Sequence, residues 1–250
     1  MNRKTLVLGT ILVAVLVFWP APAQAMHISE GILPPRWAGL WFLTAAPFLF
    51  WGLRTIQRRR AADPSYVTLV ALVGSAIFVI SCMHVPLPGG TCSHACCTGL
   101  GALLIGPGPT VVVSSIALLL QALFLAHGGL TTLGANIMSL GVVGAFSAYG
   151  LFHILRWVRV PAFPAAFLAG LLSDWATYAM AAFLLASGTH DNASITTMFL
   201  VYGAAFVPTQ IPLGIADGVM TAVAYRFLSL RRPELLGLPP LSASVAGEER

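Results

Sequence analysis

Charge is what this chain lacks. Asp, Glu, Lys and Arg make up only 8% of its 250 residues, against roughly 25% in soluble domains. The remainder is 58% hydrophobic, with a mean hydropathy of +0.87. So few charges cannot cover a water-soluble globule, and the composition is that of an integral membrane protein. Lysine is confined to Lys4, so no glycine–lysine phosphate loop exists and ATP hydrolysis by this chain is excluded. No long linker, low-complexity tract or internal repeat interrupts the sequence. The basic balance is not a nucleic-acid footprint, because the arginines stand at the ends of apolar runs rather than in a patch. Cysteine is scarce too. Three of the four, Cys92, Cys96 and Cys97, crowd one short stretch, with Cys82 just before it.

The apolar runs divide the chain. Arg3 and Lys4, the run from Leu6 to Trp19, and Ala23 with Ala25 have the layout of a secretory signal. The run is about 14 residues, short of the roughly 20 needed to span a bilayer. Residues 1–25 are therefore expected to be a cleaved signal peptide, 26–232 a transmembrane domain, and 233–250 a cytoplasmic tail. The expected fold is all-α, a polytopic bundle of about seven helices near 37–53, 66–84, 98–107, 109–126, 134–155, 161–187 and 196–226. The third run is too short to cross alone. It is expected to be a broken or tilted element ended by Gly106-Pro107-Gly108-Pro109, which membrane depth tolerates only under protein cover. Cleavage puts Met26 outside, and seven crossings put the C-terminus inside. Arg54, Arg58, Arg59, Arg60, Arg156, Arg159, Arg226, Arg231 and Arg232 then fall on the inner side, with Arg36 outside.

Cutting after Ala25 exposes a Met26-His27 terminus. Its free amine, the His27 amide nitrogen and the His27 Nδ1 form two fused chelate rings. Three in-plane nitrogens suit a tetragonal ion such as Ni(II) or Cu(II), with Co(II) also acceptable. The loop Pro86–Gly101 lies on the same side and carries His94, whose neutral imidazole can supply a fourth nitrogen or serve as a hydrogen-bonded loop residue. The same loop's Cys92, Cys96 and Cys97 can make a thiolate site, a disulfide or buried thiols; the last two are preferred, since a thiolate site would not need Met26-His27. His84 is a reserve ligand or an interfacial residue. Glu30 can neutralise the metal or hold the first loop. Asp174 and Asp217 are acids within apolar runs and so functional candidates by default. Hydrogen bonding between helices also explains Asp174, as it explains Asn136 and Gln210. His153 and His190 are expected to be interfacial.

Five stretches carry a resemblance. They are Met26–Pro34; Gly90–His94 with Thr98–Ala102; Gln121–Asn136; Leu172–Asp174 with Thr177 and Tyr178; and Thr209–Leu213. In this order they resemble the CbiM/NikM family, substrate-capture membrane subunits of cobalt and nickel energy-coupling-factor transporters. The first and third are the long, specific ones. The resemblance implies a seven-helix membrane bundle in a bacterial inner membrane, with the cobalt-type branch favoured. It implies metal held by the Met26 amine, the His27 amide and imidazole nitrogens and the His94 imidazole. His127 belongs to the family signature and is assigned to orienting the loops. The partners implied are separate ATPase subunits, a coupling membrane subunit and a small accessory membrane subunit. Two departures stand out: Ala95-Cys96-Cys97 replaces a Pro-Thr-containing stretch, and Asp217 stands where such members carry Glu.

The expected function is capture of Co2+ or Ni2+ outside and its presentation to an uptake machine. The rivals are a membrane copper-binding protein or metalloenzyme, since such a site suits Cu2+ too, and a scaffold whose motifs serve only packing.

Overall fold

The computed structural model describes residues 27–83, 85–86, 92–190 and 193–236. Met26, the expected signal segment and His84 lie outside the described residues. Seven α-helices are found among the described residues: α1 (Pro35–Ala62), α2 (Tyr66–Ser81), α3 (Thr98–Ile105), α4 (Pro107–Phe124), α5 (Leu133–Trp157), α6 (Ala162–Thr189) and α7 (Ile195–Arg231). All but α2 and α3 are long and apolar enough to cross a membrane. The described residues form an all-α, multi-pass membrane bundle, as the apolar composition leads one to expect. Val85–Pro86 pairs antiparallel with Cys92–Ser93 in a two-residue β-ribbon.

Local sequence explains the breaks. Pro35 opens α1 at the position where its missing N–H costs nothing. Ser194 caps α7, its side chain accepting from Thr197 N at 3.0 Å. Between α3 and α4, Gly106 takes φ +87° and Pro107 starts the next helix, so the eight-residue α3 ends early. Its last carbonyl, Ile105 O, accepts from Arg59 Nη1 at 3.1 Å and from the Tyr66 hydroxyl at 2.9 Å. Those bonds satisfy a helix terminus that would otherwise be orphaned. The middle of α5, Ile137–Gly144, is π-helical, a widening often found near functional sites.

The helices alternate, so the connections gather at two ends. One end holds His27, the 92–97 segment, residues 125–132 and the start of α7. The other holds Arg59, Ile105, Val160 and Arg226, the last of which lies over Phe163. The expected tail does not begin at once: Pro233–Leu236 is a 3-10 turn, with Pro233 buried and Leu236 packed on the bundle.

The half of the bundle nearer Arg59 and Arg226 is packed through small residues. Ala102 of α3, Ala145 and Ala148 of α5, Ala165, Ala166 and Ala169 of α6 and Ala222 of α7 are fully buried and form one cluster. Alanine lets helix axes approach closely where lipid offers no hydrophobic drive for association.

Candidate metal centre

The end that holds His27 is built from irregular backbone. Residues 27–34 precede α1 and fold into the bundle, with His27, Ile28 and Leu33 buried. Asn136 fixes this segment like a missing strand. Its Oδ1 accepts from Ile28 N at 2.8 Å and its Nδ2 donates to Ile28 O at 3.2 Å. The Thr132 hydroxyl also donates to Ile28 O. Glu30 accepts from Thr131 N at 3.1 Å. Hydrogen bonds from Thr131 hold the Glu30 carboxyl below its ordinary value. Asn136 thus anchors a loop rather than bonding helix to helix.

The α4–α5 turn must come close to do this. A Cβ on Gly129 would lie 2.6 Å from Glu30 N. Gly128, at φ +81°, has His27 Cβ and Asn136 Nδ2 each 3.3 Å from where its own Cβ would stand. Only glycine accommodates both the fold and the approach.

His94 arrives on a second irregular segment. The Tyr178 hydroxyl of α6 donates to His94 O at 3.2 Å and accepts from His94 N at 3.3 Å. Gln210 Nε2 of α7 donates to Ser93 Oγ at 3.0 Å. Cys97 adopts φ 55°, and its N–H reaches the Asp217 carboxylate at 3.1 Å and 3.2 Å. His94 Nδ1 lies 3.0 Å from Ala95 O. If Nδ1 carries the proton, the ring's lone pair is on Nε2.

Three histidines from these three stretches converge. The His27 and His94 ring centroids are 4.9 Å apart, His27 and His127 4.5 Å, and His94 and His127 5.9 Å. One ring nitrogen from each lies within 4.8 Å of the others, with His27 and His94 fully buried and His127 partly so. Such a cluster can hold a divalent metal through imidazole nitrogens. The His127 nitrogen lies as near as the other two, although the sequence assigned it only an orienting part. Glu30 is exposed and contributes through Thr131. Cys92 is in the ribbon, and its side chain, like His84, lies outside the described residues. His153 is exposed and donates to or accepts from nothing in the cluster; its Nδ1 meets Tyr149 O at 2.8 Å. His190 is half-buried, its Nδ1 3.0 Å from Ser187 O.

A second group lies deeper. Cys96 Sγ and carboxylate oxygens of Asp174 and Asp217 stand within 4.8 Å of one another, all three residues buried. Single-residue reading named these acids but did not join them to Cys96.

A membrane bundle with an imidazole-lined site at one end defines a class of metal-handling membrane proteins. The sequence profile of the cobalt uptake substrate-specific transmembrane region, CbiM, matches residues 27–235, and the chain belongs to this family. It is 53% identical over 212 residues to the cobalt transport protein CbiM of Sorangium cellulosum, covering 84% of this chain and 94% of that one. With the cobalt transport protein CbiM of Geobacter sulfurreducens it shares 48% identity over 237 residues, 94% of this chain and 68% of that protein. A crystal structure of a truncated transition metal transporter matches with a TM-score of 0.71 at 24% identity, over 81% of this chain and 97% of that one. That likeness supports the bundle fold. The chain is the substrate-specific membrane component of a cobalt uptake system, and its substrate is a divalent metal.

Proposed function

We propose that this chain captures Co2+ or Ni2+ from outside as the substrate-binding subunit of an energy-coupling-factor transporter. After cleavage following Ala25, the Met26 amine, the His27 amide nitrogen, His27 Nδ1 and a His94 ring nitrogen bind the ion in one plane. The observation that carries this reading is the burial of His27 and His94 together, one ring nitrogen of each within 4.8 Å of the other and of His127. Met26 immediately precedes His27 in sequence, which is the spacing a five-membered amine–amide chelate ring needs. His127 orients the pair from the outer side. Cobalt is favoured over nickel, because the relatives named above are cobalt transport proteins.

Orientation follows from the arginines. Arg59, Arg156 and Arg226 sit at the end opposite the histidines, which becomes the cytoplasmic end. Separate ATPase subunits, a coupling membrane subunit and a small accessory membrane subunit supply energy and loading. The test combines intact mass with metal analysis. Purified active protein should begin at Met26 and hold one tightly bound Co2+ or Ni2+. A functional chain that retains residues 1–25 has no amine ligand, and that result would overturn the reading. A copper-binding protein would instead retain Cu2+ and show no uptake of cobalt or nickel with the partner subunits.

A further inference from the structure

Below the histidines, the buried polar groups do not stop. Cys96 follows His94 by two residues and faces Asp174 of α6 and Asp217 of α7. Asp217 has an evident structural task, since it accepts the Cys97 N–H ahead of the first turn of α3. Asp174 has no such task. Its side chain is wholly buried, and neither carboxylate oxygen accepts an N–H or O–H hydrogen bond among the described residues. Its neighbour is the Cys96 thiol, which also has Thr177 in reach. No Lys or Arg forms an ion pair with either acid among the described residues. Two carboxylates in a buried apolar setting without a cation are costly, and such groups are normally paired or bound to metal.

We propose that Cys96, Asp174 and Asp217 form a second, deeper site for a divalent transition metal. Two carboxylates balance a dication, and the thiol gives up its proton on coordination. The mixed sulfur–oxygen set differs from the nitrogen set above it, so an ion that moves between them changes its preferred geometry. The position fits a way station. Immediately beyond lie Thr98 Oγ1 and Ser173 Oγ, 3.1 Å apart, with the Ser173 hydroxyl donating to Gly144 O of the π-helical stretch at 3.0 Å. After that the bundle closes on its alanine seam. The direction of travel rests on the capture of metal by His27 and His94; the existence of the deeper site does not.

The probe is Co2+ alone, titrated into the purified mature chain. A thiolate bound to Co(II) gives a near-ultraviolet charge-transfer band that nitrogen and carboxylate ligands lack. The wild type should take up a second equivalent with this band. Cys96→Ser should remove the band and weaken the second equivalent by at least about tenfold, with the first unchanged. Asp174→Asn should weaken the second equivalent in the same way; because burial of an amide there can disturb folding, Cys96→Ser is the deciding variant. The double variant His27→Ala, His94→Ala should lose the first equivalent and keep the band. Three results would overturn the deeper site: no band in the wild type at saturating Co2+, a band that survives Cys96→Ser, or a band that vanishes with the histidines. Loss of neither equivalent in the histidine double variant contradicts the capture reading instead, and leaves the thiolate result to be judged by Cys96→Ser.

Discussion

The two ends of the bundle are held by different forces. At the histidine end, three stretches of irregular backbone are tied by side chains to their neighbours: Ile28 to Asn136 and Thr132, His94 to Tyr178, and Cys97 to Asp217. At the arginine end, Ala102, Ala145, Ala148, Ala165, Ala166, Ala169 and Ala222 meet in one buried cluster with Phe152 and Tyr225. Hydrogen bonds are directional, so the first arrangement restricts where the rings can stand. Close packing of small residues fixes helix separation and is indifferent to ligand. Metal affinity should therefore be concentrated in the few clamps of one end, and resistance to unfolding spread through the other.

Removing a ring breaks the comparison most directly. His27→Ala or His94→Ala should lower Co2+ affinity by more than about 100-fold, beyond the range expected for groups that merely orient a ligand. The thermal unfolding of the apo-protein should change little. Calorimetric titration and a melting curve on the same samples check both halves.

Asn136→Ala should come next. It removes both bonds to Ile28 while leaving every proposed ligand in place. Affinity should fall about 10–100-fold. An unchanged affinity would mean the N-terminal segment finds its place without the clamp.

The opposite end supplies the converse. Ala169→Leu forces extra volume into a fully buried contact, at a cost of about 1–3 kcal/mol. Stability should drop, whereas the affinity of the protein that remains folded should stay within about twofold. A large loss of affinity would show that the two ends are coupled.

Acid gives the smallest effect. The Glu30 carboxyl is held below its ordinary value by Thr131. Its contribution is complete above the ordinary carboxylate range and is lost as pH falls through the depressed value. Glu30→Gln should flatten a minor acid limb in the unfolding profile, and because the side chain is exposed the change should be slight.

Much of this contrast could be read in advance. The apolar runs marked the seven described helices, most plainly the five long enough to cross a membrane, where few alternatives exist. Gly106-Pro107 marked the break after α3 for the same plain reason: a positive φ followed by a residue without an N–H. His27 and His94 were legible as candidate ligands from an expected cleavage site and a glycine-flanked loop, and the structure brings their rings to 4.9 Å. Asn136 and Gln210 were misjudged as helix-to-helix bonds, since helical periodicity cannot show that a loop folds back between helices. The nearness of Cys96 to Asp174 and Asp217 was hidden for a related reason. Those residues are 78 and 121 positions apart in sequence, and only the inward dip of the 92–97 segment joins them. The π-helical turns of α5 left no signal, because a run of apolar residues and glycines is compatible with either winding.

The central claim is that the terminal amine of Met26 is a ligand. It is tested by titrating Ni2+ into the mature chain and into the same chain with one residue added before Met26. The extension leaves every side chain in place but moves the amine out of its five-membered ring. The mature chain should bind one equivalent with the visible absorption of a square-planar nitrogen site, and the extended chain should lose both the tight binding and the absorption. Equal affinity and an unchanged spectrum in the two chains would contradict the claim.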